Sequence, residues 1–128
     1  MKVLLDTHIF IWWNGDVKLL SPADRALCEN PETTLVLSYT SIWEMQIKSQ
    51  LGKLVFDRPL RDIVQSQQRD NGLELLPITP GHIYALQDLP VHHRDPFDRL
   101  LIAQANAEQI PLLTADPIFR QYEVKLLG

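Results

Sequence analysis

Four carboxylates fall where short apolar runs give way to helical stretches. Asp6 directly follows Val3-Leu4-Leu5, and Asp116 follows Leu112-Leu113 after a Thr114-Ala115 step. Glu44 and Asp98 fall near the starts of two helical segments, at Thr40 and Phe97. An acid at the end of a buried parallel strand points from the carboxyl edge of its sheet, where open α/β sheets bind ligands. Helices entered from that edge begin there too, so the four acids are expected to converge. Like charges at close range repel, and such a cluster is stable only if it takes up protons or cations. Hard oxygen donors favour Mg²⁺ or Mn²⁺ over zinc.

Each acid also has an ordinary structural role open to it. Asp6 could cap the helix that follows. Glu44, among Ile42, Trp43 and Met45, could be a solvated helical acid. Asp95 and Asp98 are spaced as a cap and its first-turn partner, with Arg94 and Arg99 as ion-pair partners. Asp116 before Pro117 fits an N-cap. The case for chemistry therefore rests on convergence, not on any single acid. His8, His92 and His93 could ligate a metal or carry a proton, although the carboxylates already supply hard ligands. His82, after Pro80-Gly81, reads as a cap or a solvent-facing residue. Phe10, Trp12 and Trp13 read as core packing or a protein-contact surface rather than a base-stacking platform. Cys28, alone between Leu27 and Glu29, reads as a packing residue.

The elements that must position these acids alternate. Strands are expected at Val3–Leu5, Thr34–Ser38, Leu73–Ile78, Leu112–Leu113 and Tyr122–Leu127. Between them, helices are expected at Thr7–Trp13, from Pro22 to about Asn30, Thr40–Leu51, from Pro59 to about Arg69, after Thr79-Pro80, and at Phe97–Gln109. Ser21-Pro22, Thr79-Pro80 and Asp95-Pro96 each place a capping residue before a proline at the first helical position. The last of these helices is apolar nearly all round, so it should be buried, and an acid at its start is costly unless paired or metal-bound. Short apolar strands alternating with helices indicate one α/β domain over residues 1–128, with a mostly parallel sheet covered on both faces.

Composition excludes several classes. Hydrophobic residues at 45% and charged residues at 22% are ordinary globular usage, not that of a disordered chain. One cysteine rules out a disulfide framework and a four-cysteine zinc site. Twelve Lys and Arg against sixteen Asp and Glu give −4, so this is no polycation coating nucleic acid. A metal can still reverse the local charge that such a count averages over. Asp6 interrupts the apolar stretch Val3-Leu4-Leu5, so no targeting signal is expected; no segment nears the length of a membrane span, and with a single cysteine the chain reads as cytoplasmic.

Four segments taken together resemble the PIN-domain ribonucleases, most closely the VapC-type toxins of bacterial toxin–antitoxin pairs. They are LLDTHIFIWW, SYTSIWEMQIK, HRDPFDRLLIAQA and LLTADPIFR, in the family's order along essentially the whole chain. The resemblance implies a PIN-like three-layer α/β/α sandwich and Mg²⁺- or Mn²⁺-dependent endonucleolytic cleavage of RNA. It also implies a homodimer and an antitoxin partner. Carried over residue by residue, it gives Asp6, Glu44, Asp98 and Asp116 the catalytic metal-binding positions. Asp95 is an additional acid, and Thr7 and Thr114 match hydroxyl positions that could orient a carboxylate or water. Lys48, Lys53, Arg94 and Arg99 are candidate phosphate contacts. A phosphotransfer domain is disfavoured, because the residue two after Asp6 is His8 and Glu44 and Asp98 would have no role. The alternative is a catalytically inactive PIN-like protein-interaction module.

Overall fold

The strands are apolar on both sides because both sides are covered. The computed structural model describes residues 1–127. Strands β1 (Lys2–Leu5), β2 (Thr34–Ser38), β3 (Glu74–Leu76), β4 (Leu112–Leu113) and β5 (Leu126–Leu127) lie in the order β3-β2-β1-β4-β5. Every pairing is parallel, so the expected mostly parallel sheet is wholly so.

Strand alternation divides the core in two. Val3 and Leu5 of β1, Leu35 and Leu37 of β2 and Leu113 of β4 face one layer. That layer holds helices α1 (Thr7–Trp13), α2 (Pro22–Glu29), α3 (Tyr39–Gln50) and α4 (Leu60–Asn71). Leu4, Val36 and Leu112 face the other, where α5 (Pro80–Tyr84) packs on α6 (Pro96–Glu108) and a 3-10 turn at Pro117–Gln121 adds Phe119. This is a three-layer α/β/α sandwich. Leu4, Leu5, Leu37, Leu101, Leu112 and Leu113 are fully buried, each contributing roughly 2 kcal/mol by transfer from water.

Local signals set the helix ends. Ser21 Oγ accepts from Asp24 N, and Asp95 Oδ1 accepts from Phe97 N and Asp98 N, each ahead of a proline at the first turn. His82 is a capping residue rather than a solvent-facing one. It is buried, and its Nδ1 accepts from Thr79 N while Thr79 Oγ1 accepts from His82 N. Gly72 closes α4 at φ 68°. Two strands are shorter than expected. The third covers only Glu74–Leu76, and the last begins at Leu126 because Val124 N donates to Tyr122 O and turns the chain after buried Tyr122.

The chain crosses from β1 to β2 and β3 on one side of the sheet, then returns to place β4 on the other side of β1. The carboxyl ends of β1 and β4 are therefore the switch point where such sheets form a crevice. Among the described residues no helix is long and apolar enough to cross a membrane.

Candidate active site

Asp6 leaves β1 at that switch point. Its N–H still donates to Leu113 O at 2.9 Å, so β1 and β4 stay paired to their very ends. That pairing brings Thr114 Oγ1 within 2.8 Å of Asp6 Oδ2, to which it donates. The same hydroxyl accepts from Asp116 N at 3.1 Å. Asp6 is only 3% exposed and makes no side-chain cap bond to α1, so helix capping does not explain it. Burial raises its pKa above the ordinary carboxylate value, with Glu44 adding to the rise and Thr114 and His8 opposing it.

Glu44 reaches the site from α3, one and a half turns into the helix, and is equally buried. Thr7 Oγ1 donates to Glu44 Oε1 at 2.8 Å; having one proton, it accepts from Ser41 Oγ at 2.9 Å. Lys48 Nζ donates to Glu44 Oε2 at 2.6 Å. The start of α3 is fixed by Ser38, whose Oγ accepts from Thr40 N, and by Gln104 of α6, whose Oε1 accepts from the hydroxyls of Ser38 and Thr40. Fully buried Gln104 thus ties α3 to α6. Trp43 and Phe97, each the residue before an acid, meet edge to face at 5.1 Å and join the same two helices beside the site.

Asp98 sits in the first turn of α6. His93 Nε2 lies 2.8 Å from Asp98 Oδ2. Burial, with the charges of Asp6, Asp95 and Glu44, pushes Asp98 up to about 7 against the opposing bond from His93. Three acids from separate elements thus share one charge neighbourhood. Among the described residues, His93, Asp95 and Asp98 form the set whose potential ligand atoms all lie within 4.8 Å of one another. Asp6 and Glu44 lie outside that set, though their charges act on Asp98.

The structure treats the remaining expected residues unequally. Asp95 is both the cap of α6 and a member of the trio. Asp116 is exposed and caps the turn at Pro117–Gln121 by accepting from Ile118 N, joined to Asp6 through Thr114. Arg99 is not the partner of Asp98. Its guanidinium donates to Pro90 O at 2.8 Å and to Tyr122 Oη at 3.3 Å, and so holds the loop before α6. Tyr122 Oη also accepts from His92 N and His93 N, which sets the position of His93. Arg94 and Lys53 are exposed, and Lys48 is the basic candidate that reaches the acids. Phe10 is core, and Trp12 and Trp13 pack half-buried against it. Cys28 is buried, and burial, with Asp24 and Glu29 nearby, pushes its thiol up to about 11, so it is no nucleophile at neutral pH.

Ser41 was not evident in the sequence reading, although it precedes Glu44 by three residues and so shares its helix face. The Lys48–Glu44 pair had the same kind of signal, a spacing of four. His93 had none, because its place depends on a loop held by Tyr122 and Arg99.

The donor set fits a hard divalent ion. Carboxylates from separate elements act on one another, Asp98 holds a proton unusually tightly, and the acids' nitrogen partners are the Lys48 ammonium and the His93 ring. Asp6, Glu44, Asp98 and, joined to Asp6 through Thr114, Asp116 are the residues that could hold Mg²⁺ or Mn²⁺, with Asp95 and His93 beside Asp98.

The chain matches the model of the PIN domain over residues 3–125. Among solved structures it is similar to VapBC2 from Rickettsia felis bound to a promoter DNA fragment, at 17% identity and a TM-score of 0.73, covering 99% of this chain and 98% of that one. It is similar to FitAcB from Neisseria gonorrhoeae at 15% identity and a TM-score of 0.66, covering 98% and 96%. It is also similar to VapBC-1 from nontypeable Haemophilus influenzae at 18% identity and a TM-score of 0.63, covering 100% and 98%. No curated protein sequence matched the chain. At these identities the structures speak to the fold, and the family match runs from the second residue of β1 through β4 and stops just short of β5. With its acids gathered at the switch point of that fold, the chain belongs to the PIN domain family.

Proposed function

We propose that this chain is a Mg²⁺- or Mn²⁺-dependent endoribonuclease of the VapC type, the toxin of a toxin–antitoxin pair. The observation that carries the reading is the meeting of Asp6, Glu44 and Asp98 from three separate elements at the β1–β4 switch point. Their mutual field is strong enough to help hold Asp98 at about 7. Folding alone does not reward such a cluster, whereas a divalent ion does. Membership of the PIN family and likeness to toxin–antitoxin structures support the assignment. By the same likeness, the partners are a cognate antitoxin and a second copy of the chain, acting in the cytoplasm on an RNA substrate.

When bound, the ion supplies Lewis-acid polarisation of a phosphodiester and a more acidic attacking water. The chain's own residues do the rest. Thr114 and Thr7 each donate to one oxygen, of Asp6 and Glu44 respectively, and so fix their rotamers. Asp95, held by the first amides of α6, adds negative charge without moving. Asp116 and Thr114 border the crevice on the β4 side. In hydrolysis an oxygen–phosphorus bond to water forms, the bond to the leaving oxygen breaks, and that oxygen takes up a proton. Asp6, Glu44, Asp98 and Asp116 are proposed as the catalytic metal-binding residues, with Asp95, Thr7 and Thr114 accessory.

The test is cleavage of a mixed RNA pool by the purified chain with Mg²⁺, Mn²⁺ or EDTA, beside folded Asp6→Asn and Asp98→Asn. Divalent-dependent cuts lost in both variants are expected. Cuts that persist in EDTA or in both variants would refute the assignment. A chain that neither cuts nor binds divalent ions would instead be an inactive interaction module.

A further inference from the structure

Both oxygens of Glu44 are already engaged, one by the Thr7 hydroxyl and the other by Lys48 Nζ at 2.6 Å. The pair is unlike an exposed i,i+4 helix pair, which is worth only a few tenths of a kcal/mol. The Glu44 side chain is 3% exposed, while that of Lys48 is 37% exposed and reaches solvent. Asp95 and Asp98, from α6, also act on the Lys48 charge, so its ammonium lies within the field of the acid cluster rather than outside it. A divalent ion held by Glu44 would need an oxygen that Thr7 or Lys48 now engages, and of these two Lys48 carries the charge. Two cations on one carboxylate oxygen repel, and the one on a flexible four-carbon stem with access to solvent is the one that can move.

We propose that Lys48 and the divalent ion compete for Glu44, and that the ammonium displaced by the ion becomes a contact for a backbone phosphate of single-stranded RNA. Lys48 is thus a positioning residue in the metal-free protein and a substrate-binding residue in the loaded one. The inference rests on the nuclease reading above. It explains how a chain of net charge −4 presents a positive group to RNA only when its site is filled. Before loading, that charge is neutralised by Glu44.

Three measurements test it. Lys48→Met keeps the stem and removes the charge, and Lys48→Arg keeps the charge. In Mn²⁺ titrations without RNA, Lys48→Met should bind the ion about threefold to tenfold more tightly than wild type, because a nearby cation has gone. With Mn²⁺ present, it should bind a phosphorothioate-linked single-stranded oligoribonucleotide about threefold to tenfold more weakly, and in EDTA the two proteins should not differ. Lys48→Arg should stay near wild type in each. Unchanged or weaker Mn²⁺ binding by Lys48→Met overturns the competition, and unchanged oligonucleotide binding overturns the phosphate contact. A readout on the wild type guards against a variant that fails to fold. The Lys48 ε-methylene resonance should shift as Mg²⁺ is added, and a resonance that stays still in a protein that binds Mg²⁺ and cuts RNA overturns the exchange alone. A wild type that binds neither ion overturns the nuclease reading and the exchange with it.

Discussion

Replacing Asp98 by Asn removes one charge from the cluster and almost nothing else. The amide has the shape of the carboxyl, and its oxygen still accepts from His93 Nε2, now 2.8 Å from Asp98 Oδ2. Asp98 rises from 3.8 to about 7, chiefly by burial, with Asp6, Asp95 and Glu44 adding to it. At about 1.4 kcal/mol per unit, that rise sets a ceiling of roughly 4 kcal/mol on the cost of the ionised side chain. The side chain is 14% exposed and Asp95 beside it is half-buried, so screening brings the figure to about 2 kcal/mol. The variant also gives up a negative charge in the first turn of α6, worth about 0.5 kcal/mol at the helix dipole. The net expectation is a metal-free protein more stable by about 1.5 kcal/mol at pH 8, or a midpoint higher by about 5 °C.

The sign of the pH dependence follows from linkage. A carboxyl whose pKa is raised in the folded state binds its proton more tightly there than in the unfolded chain, so wild-type stability falls as pH rises from about 4 to about 7. The advantage of Asp98→Asn should open as pH rises through that window and be complete by pH 8. Urea unfolding in EDTA at pH 5, 6.5 and 8 measures it. Saturating Mn²⁺ should then reverse the order, because binding to the folded state alone stabilises the wild type by mass action and the variant has lost a ligand. An advantage that does not change with pH, or a variant less stable than wild type at pH 8, would refute the claim that Asp98 is held against the field of its neighbours.

Two further substitutions probe the groups that hold the acids. Thr114→Val removes both the donor to Asp6 and the acceptor for Asp116 N; it should cost about 1–2 kcal/mol and weaken Mn²⁺ binding several-fold in calorimetry. An unchanged Mn²⁺ affinity would show that Asp6 needs no such orientation. Tyr122→Phe deprives the His92 and His93 amides of their acceptor, so hydrogen exchange at these two positions should accelerate at least about tenfold while the middle of α6 keeps its protection. Equal exchange in the two proteins would mean that the loop is held by Arg99 alone.

What the sequence made legible followed from position along the chain. An acid one residue past an apolar strand cannot avoid the carboxyl edge, so Asp6 could be placed without knowing its neighbours. Proline after Ser21, Thr79 and Asp95 marked three helix starts, and the apolar character of α6 marked its burial. Legibility failed where one side chain is set by another far away. Arg99 follows Asp98 directly and so looked like its partner, yet a helix turns consecutive side chains about 100° apart. Arg99 therefore meets Pro90 and Tyr122, leaving Asp98 to His93. The expected strand from Tyr122 failed for a related reason, since the ring is buried and its hydroxyl serves the loop at 92–93. Nothing local to Tyr122 announces that contact.

Contacts around the acids, some legible in the sequence and some hidden, let the cluster exist without an ion. Each converging acid has its own local compensation: Thr114 for Asp6, Thr7 and Lys48 for Glu44, the amides of Phe97 and Asp98 for Asp95, and His93 for Asp98. None of these neutralises the whole, and the residual repulsion helps keep Asp98 near 7. A divalent cation would therefore displace Lys48, the partner that carries positive charge, while leaving undisturbed the hydroxyl and amide donors that only orient. That division separates the roles of the surrounding residues. Removing a hydroxyl donor should impair ion binding through geometry, and removing the lysine should improve it through charge. Opposite signs from two neighbours of one carboxylate, Thr7 and Lys48 on Glu44, are what a built metal site requires and what an acid cluster maintained only for folding does not.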